Sequence, residues 1–158
     1  MKILITGCAG FIGSHLTECF LNDGHIVIGV DNFDPFYSKE QKIKNLSFAH
    51  TFNSFSFHLI DIREAAQLNT LPTDIEIVIH LAAKAGVRPS IIDPIGYNDT
   101  NVKGTLNVLE WMRLCGITKM VFASSSSVYG NNKKTPFSET DNVDTPISPY
   151  AFTKKSCE

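Results

Sequence analysis

Met1–Gly13 reads MKILITGCAGFIG. Ile3, Leu4 and Ile5 form the short apolar run expected of a strand buried on both faces. Gly7, Gly10 and Gly13 follow at equal spacing. Ile12, Leu16, Cys19 and Phe20 then keep helical spacing up to Asn22-Asp23-Gly24, a helix stop. The glycines therefore occupy a strand-to-helix turn, the context a dinucleotide cradle requires. In that context Gly7 permits the tight turn, Gly10 lets backbone approach a pyrophosphate, and Gly13 allows close packing of helix on strand. Phe11 and Ile12 lie between the last two glycines, where the helix N-terminus offers free N–H groups and a positive dipole end to phosphates. The spacing is G-x-x-G-x-x-G rather than the commoner G-x-G-x-x-G.

A second apolar run, Ile26–Val30, ends at Asp31 and Asn32, and Asp31 comes eighteen residues after Gly13. An acidic residue about 20 residues past the glycines binds adenosine ribose hydroxyls in this kind of fold. No Arg or Lys follows until Lys39. An uncompensated carboxylate repels a 2′-phosphate, so the sequence favours NAD over NADP.

At 158 residues the chain reads as one domain, able to bury about 68–70% of its unfolded surface. Hydrophobic content is 43% and net charge −2, with no basic run, which argues against nucleic acid and anionic membranes as partners. The N-terminal apolar run is too short for a signal peptide or a membrane span, so a cytoplasmic location is expected. Cys8, Cys19, Cys115 and Cys157 show no metal-binding spacing and read as reduced thiols, and no metal site is expected. Cys8 reads as a small filler in the glycine loop, and His80 as a packed residue ending a strand.

Strand and helix patterns alternate. Strands are expected near 2–6, 26–31, 56–60, 75–81 and 119–124. Helices are expected near 12–22, 63–70, 93–115 and from 149 onward, with a weak one near 38–47. This order implies a doubly wound parallel sheet of Rossmann type, with helices on both faces. The sheet ends after about five strands, where a sixth is expected. Residues 32–55 are rich in aromatics, among them Phe33, Phe36, Tyr37, Phe48, Phe52 and Phe55. These could cover an adenosine or simply pack, and packing is favoured. Asp61-Ile62-Arg63-Glu64 has capping-box spacing, with an adenine contact as the alternative for Asp61. The fourth strand runs into Leu81-Ala82-Ala83-Lys84, and small residues at a strand's carboxyl end permit close approach of a cofactor. Asn101, in the first turns of the long helix, could hydrogen-bond backbone beside that cofactor, and the helix could present a dimer face. Arg88 could reach a substrate pocket or stay solvated in a loop.

The fifth strand leads into Ser124-Ser125-Ser126-Ser127-Val128-Tyr129-Gly130, hydroxyls at a strand's carboxyl end. Further on, SPYAFTKK sets Tyr150 four residues before Lys154. Positions i and i+4 share a helix face. A free phenol ionises near 10, so a base near neutral pH needs roughly 4 kcal/mol of help. One cation at about 4 Å supplies roughly that at an effective dielectric of ~20.

TGCAGFIG, Asp31, HLAAKAGVRPS, NVKGTLNVLE, FASSSSVYG and SPYAFTKK together resemble the extended short-chain dehydrogenase/reductases, over essentially the whole chain. More narrowly they resemble NAD-dependent nucleotide-sugar epimerases, those acting on UDP-glucuronate above all. The resemblance implies Tyr150 as catalytic base and Lys154 as its partner and nicotinamide-ribose ligand. It implies Ser125 as the hydroxyl holding the sugar's reacting oxygen; the adjoining Ser126 and Ser127, with Lys84 and Arg88 after the fourth strand, are further candidate substrate contacts. Similar 4,6-dehydratases carry an Asp-Glu pair directly after the residue matching Ser125. Ser126-Ser127 stands there instead, which disfavours that reaction. A reductase of the same family and a non-catalytic NAD-binding fragment are the other readings. Family members continue for well over a hundred further residues, which supply most of the sugar-nucleotide pocket. The chain alone is therefore expected to bind cofactor weakly and to lack epimerase activity, the parent being a homodimer.

Overall fold

Three consecutive side chains of the first strand, Ile3, Leu4 and Ile5, are fully buried, and they divide between two cores. Successive side chains of a strand point to opposite faces. Leu4 joins Ile28, Val30, Val78, Val108 and Trp111, while Ile3 and Ile5 join Val27, Leu21, Leu46 and Ile79. A sheet covered on both faces is the only place for such a run.

The computed structural model describes residues 1–36 and 38–158, so Tyr37 lies outside the described residues. The strands are β1 Lys2–Thr6, β2 Ile26–Asp31, β3 Phe55–Leu59, β4 Ile77–His80 and β5 Met120–Phe122. The helices are α1 Phe11–Asn22, α2 Lys39–Leu46, α3 Ala65–Leu68, α4 Val87–Ile92, α5 Pro94–Tyr97, α6 Gly104–Cys115 and α7 Pro149–Cys157. The chain divides into two compact units: Met1–Ala82 with Leu106–Ala123, and Ala83–Thr105 with Ser124–Glu158.

The first unit holds the whole sheet. All its pairings are parallel, in the order β3-β2-β1-β4-β5. Ile5 lies between Gly29 of β2 and Ile79 of β4. The chain winds outward from β1 in one direction, then resumes at β4 in the other. Ligands of open α/β sheets bind beyond the strand ends at such a switch.

Several expected elements differ. The helix expected over 63–70 shrinks to the four residues of α3, because Leu71 precedes Pro72, which disfavours further helix. The capping box does not form. Glu64 is the N-cap and no side chain caps α3, while the Asp61 carboxylate turns to Arg63. In the second unit, residues after β4 form α4 rather than a loop, with Pro89 tolerated in its first turn. The long helix expected over 93–115 is interrupted: α5 passes into a π-helical turn, Asn98–Lys103, before α6. Ser125 caps a short 3-10 turn, Ser126–Tyr129, by accepting the Ser127 N–H. Among the described residues, no helix is long and apolar enough to cross a membrane.

Candidate functional site

The glycine loop of the first unit is built by exclusion of side chains. Gly7 has φ +73°, a conformation that costs other residues energy. A Cβ there would sit 2.8 Å from the Ala82 nitrogen and 3.0 Å from the Leu81 carbonyl carbon. Leu81 and Ala82 thus close directly on the loop, as their position at the end of β4 suggested. Gly13 is tighter still, since a Cβ would lie 2.1 Å from the Gly7 oxygen. The Gly7 and Cys8 N–H groups both donate to the Val30 carbonyl, at 2.7 and 3.2 Å. Thr6 Oγ1 accepts from the Leu81 and Ala82 N–H groups at 3.2 Å and lies 2.7 Å from Nδ1 of His80, a buried, packed histidine. No side chain caps α1, whose N-cap is Gly10, and Phe11 and Ile12 hold their side chains out in solvent. An anion is the natural complement of such a helix start.

Asp31 lies at the end of β2, 6% exposed. Its Oδ2 accepts the Ala9 N–H at 3.2 Å, and its Oδ1 accepts the Phe33 N–H at 2.8 Å. Lys42 Nζ also donates to Oδ1, at 2.9 Å. This corrects the sequence reading of Asp31 as an uncompensated carboxylate: α2 returns a cation eleven residues on. Phe33 takes φ +55°, a conformation rare outside glycine, and stacks on Phe57 at 5.2 Å. Phe33, Phe52 and Phe55 pack against the core, as favoured, whereas Phe36 and Phe48 are exposed.

Asn32 and Asp61, singled out separately, are brought together: Asn32 Nδ2 donates to Asp61 Oδ2 at 3.2 Å. The Arg63 guanidinium donates to both Asp61 oxygens, the shortest contact being 2.6 Å, and holds the carboxyl down at about 2. Asn32, Phe33, Asp61 and Arg63 help line a cleft of about 430 Å³. Ile62 is buried in the core, and its carbonyl accepts from Asn107 Nδ2 at 2.9 Å. Burial, with Asp31 adjacent, pushes the Cys8 thiol well up, which suits a filler rather than a nucleophile.

The second unit holds the other predicted residues. Asn101 is 2% exposed in the π turn. Its Oδ1 accepts the Lys84 N–H at 2.8 Å, and its Nδ2 donates to the Lys84 carbonyl and to Thr153 Oγ1, both at 3.0 Å. Ala83 precedes this clamp. The Lys84 ammonium pairs with Asp93 at 2.8 Å and lies 5.8 Å from the centre of the Tyr97 ring. Arg88 is exposed on α4. Ser125 uses its hydroxyl locally, accepting the Ser127 N–H and donating to Ser127 Oγ, each at 3.2 Å; Ser126 is exposed.

Tyr150 and Lys154 share α7, one turn apart. Ser148 caps α7 through the Ala151 N–H at 3.1 Å, Pro149 occupies the first turn, and the Tyr150 N–H donates to the fully buried Ser90 Oγ at 3.0 Å. The Tyr97 ring meets the Tyr150 ring edge-on at 6.2 Å. Lys154 is 5% exposed, and burial lowers its pKa below the usual lysine value. Sequence reasoning missed Lys42, Asn45, Ser90 and Thr153. Only the Ser148-Pro149 start of α7 left a readable signal near them. Among the described residues, no group of three or more His, Cys, Asp or Glu could hold a metal ion.

These features define a Rossmann-type parallel sheet with a glycine loop at the switch point of its strand order. The GDP-mannose 4,6 dehydratase family profile matches residues 4–158, and the chain belongs to that family. It is 48% identical to the protein CapI of Staphylococcus aureus over 162 residues, covering 100% of this chain and 48% of that one. It is 46% identical to a UDP-glucuronate 4-epimerase of Thermodesulfobacterium geofontis, covering 98% of this chain and 48% of that one. Among solved structures, UDP-glucuronic acid 4-epimerase from Bacillus cereus, in complex with UDP-glucuronic acid and NAD, superposes with a TM-score of 0.91 at 39% identity. That match covers 99% of this chain and 50% of the other. The chain thus spans about half the length of the relatives it matches.

Proposed function

We propose that this chain is the NAD-binding portion of a UDP-glucuronate 4-epimerase, residues 1–158 serving as its Rossmann part. One observation carries the reading. The loop at the end of β1 is shaped so that backbone alone faces the start of α1, with Asp31 fixed beside it. That cradle fits a dinucleotide. Gly7, Gly10, Phe11, Ile12 and Gly13 would hold the pyrophosphate, Asp31 and Asn32 the ribose, and Asp61 and Ile62 the adenine. When bound, NAD supplies reversible hydride uptake at the sugar carbon.

The chain's own residues do the rest. Tyr150 takes the proton from the sugar hydroxyl and returns it after the centre inverts. The buried Lys154 ammonium, one turn along α7, is the charge a phenolate requires. Ser125 holds the reacting oxygen. Asn101 fixes the backbone of Lys84, and Ser90 fixes the start of the helix that carries the base. Ser126-Ser127, in place of an Asp-Glu pair, favours epimerisation over dehydration. The four cysteines are all free, which supports a reducing, cytoplasmic setting. Leu106, Leu109 and Leu114, exposed along α6, support a homodimeric parent.

Titration of the parent with NAD, with turnover of UDP-glucuronate alongside, tests the reading. A parent that binds NAD but leaves UDP-glucuronate unchanged would overturn it.

A further inference from the structure

The carboxylate at the end of β2 does not present a bare negative charge. Lys42 and Asp31 meet at 2.9 Å with side chains 7% and 5% exposed. The helix that brings Lys42 there is tied down independently. Ser38 caps its start through the Gln41 N–H, and Leu46 is buried at its end. One turn beyond Lys42, Asn45 Nδ2 donates to the Ala9 carbonyl at 2.9 Å. Ala9, inside the glycine loop, is therefore held by its N–H on Asp31 and by its carbonyl on α2. A charge and countercharge this close largely cancel at the distance of a bound ribose. Rejection of a 2′-phosphate is then set by the difference between the two groups, not by Asp31 alone.

We propose that Lys42 is the countercharge that sets how strongly this adenosine site rejects a 2′-phosphate, and that it becomes a phosphate-binding cation once Asp31 is neutral. The proposal rests on the reading of the glycine loop as a dinucleotide site and deepens it. A lysine that merely holds Asp31 in place gives the opposite sign: without it Asp31 loosens and discrimination falls. A countercharge gives higher discrimination when removed.

ADP-ribose and 2′-phospho-ADP-ribose differ only at the 2′ position and need only the adenosine and pyrophosphate contacts. Both are titrated by calorimetry into the full chain as wild type, Lys42→Gln, Lys42→Met, Asp31→Asn and the double variant Asp31→Asn/Lys42→Met, with the Tm of each. The ratio of Kd for the phosphorylated over the plain ligand should rise severalfold in the lysine variants. It should fall at least about tenfold in Asp31→Asn, the scale of one charge-assisted hydrogen bond. The double variant should lose that gain. An unchanged or lower ratio in a folded lysine variant overturns the proposal, as does an Asp31→Asn gain that survives in the double variant. If the single lysine variants do not fold, the comparison of Asp31→Asn with the double variant decides. If wild type binds neither ligand, the dinucleotide reading itself fails, and the proposal with it.

Discussion

Asn101 holds Lys84 by both polar ends of its backbone, accepting the N–H at 2.8 Å and donating to the carbonyl at 3.0 Å. A side-chain amide can do this only when its acceptor and donor both face one residue. The π turn in which Asn101 sits gives it that aim. Replacing Asn101 with Ala leaves the Lys84 peptide groups and Thr153 Oγ1 without this partner. A buried polar group left unpaired costs about 1–3 kcal/mol. Urea unfolding should show a loss of about 2 kcal/mol or more, and a loss below about 0.5 kcal/mol would show that the clamp is incidental.

Gly13→Ala and Gly24→Ala should separate packing from conformation. A Cβ at Gly13 would strike the Gly7 oxygen at 2.1 Å, whereas at Gly24, with φ +78°, it meets nothing within 4 Å. The first should destabilise by about 1–3 kcal/mol through overpacking and remove ADP-ribose binding. The second should cost about 1 kcal/mol from backbone strain and leave ligand binding intact. Equal effects of the two changes on binding would contradict the cradle.

Asp61 should govern part of the acid limb of stability. Its folded pKa, about 2, lies below the ordinary carboxylate value of 3.8, with the Arg63 hydrogen bonds as the main cause. Its contribution is therefore complete above pH 3.8 and is lost as pH falls toward 2. Asp61→Asn and Arg63→Gln should each flatten the fall in stability over that window. Acid titrations followed by circular dichroism, parallel to wild type in both variants, would refute the assignment.

How far the sequence could be read depended on how local each cause was. The glycine spacing, the apolar run of β1 and Asp31 at the end of β2 are local signals, and all three lie where they were expected. The pairing of Lys42 with Asp31 depends on a helix returning over the glycine loop, and no periodicity announces that return. Asp61 was legible as important but not in its partner, because capping-box spacing and an Arg two residues on compete for one carboxylate, and the guanidinium wins. α4 was hidden by Pro89, which signals a break but is tolerated in a first turn. Ser90 carries no local mark at all, since its role is set by Tyr150, sixty residues away.

The central claim is tested most directly by conversion of UDP-glucuronate in the parent enzyme with Tyr150 intact and with Tyr150→Phe. A positioned base is worth about 10²–10⁴ in rate. The account predicts interconversion with UDP-galacturonate by the wild type. It predicts a loss of at least about a hundredfold in Tyr150→Phe, with NAD binding retained. Near-normal turnover by Tyr150→Phe would contradict the account, as would activity confined to UDP-glucose and UDP-galactose.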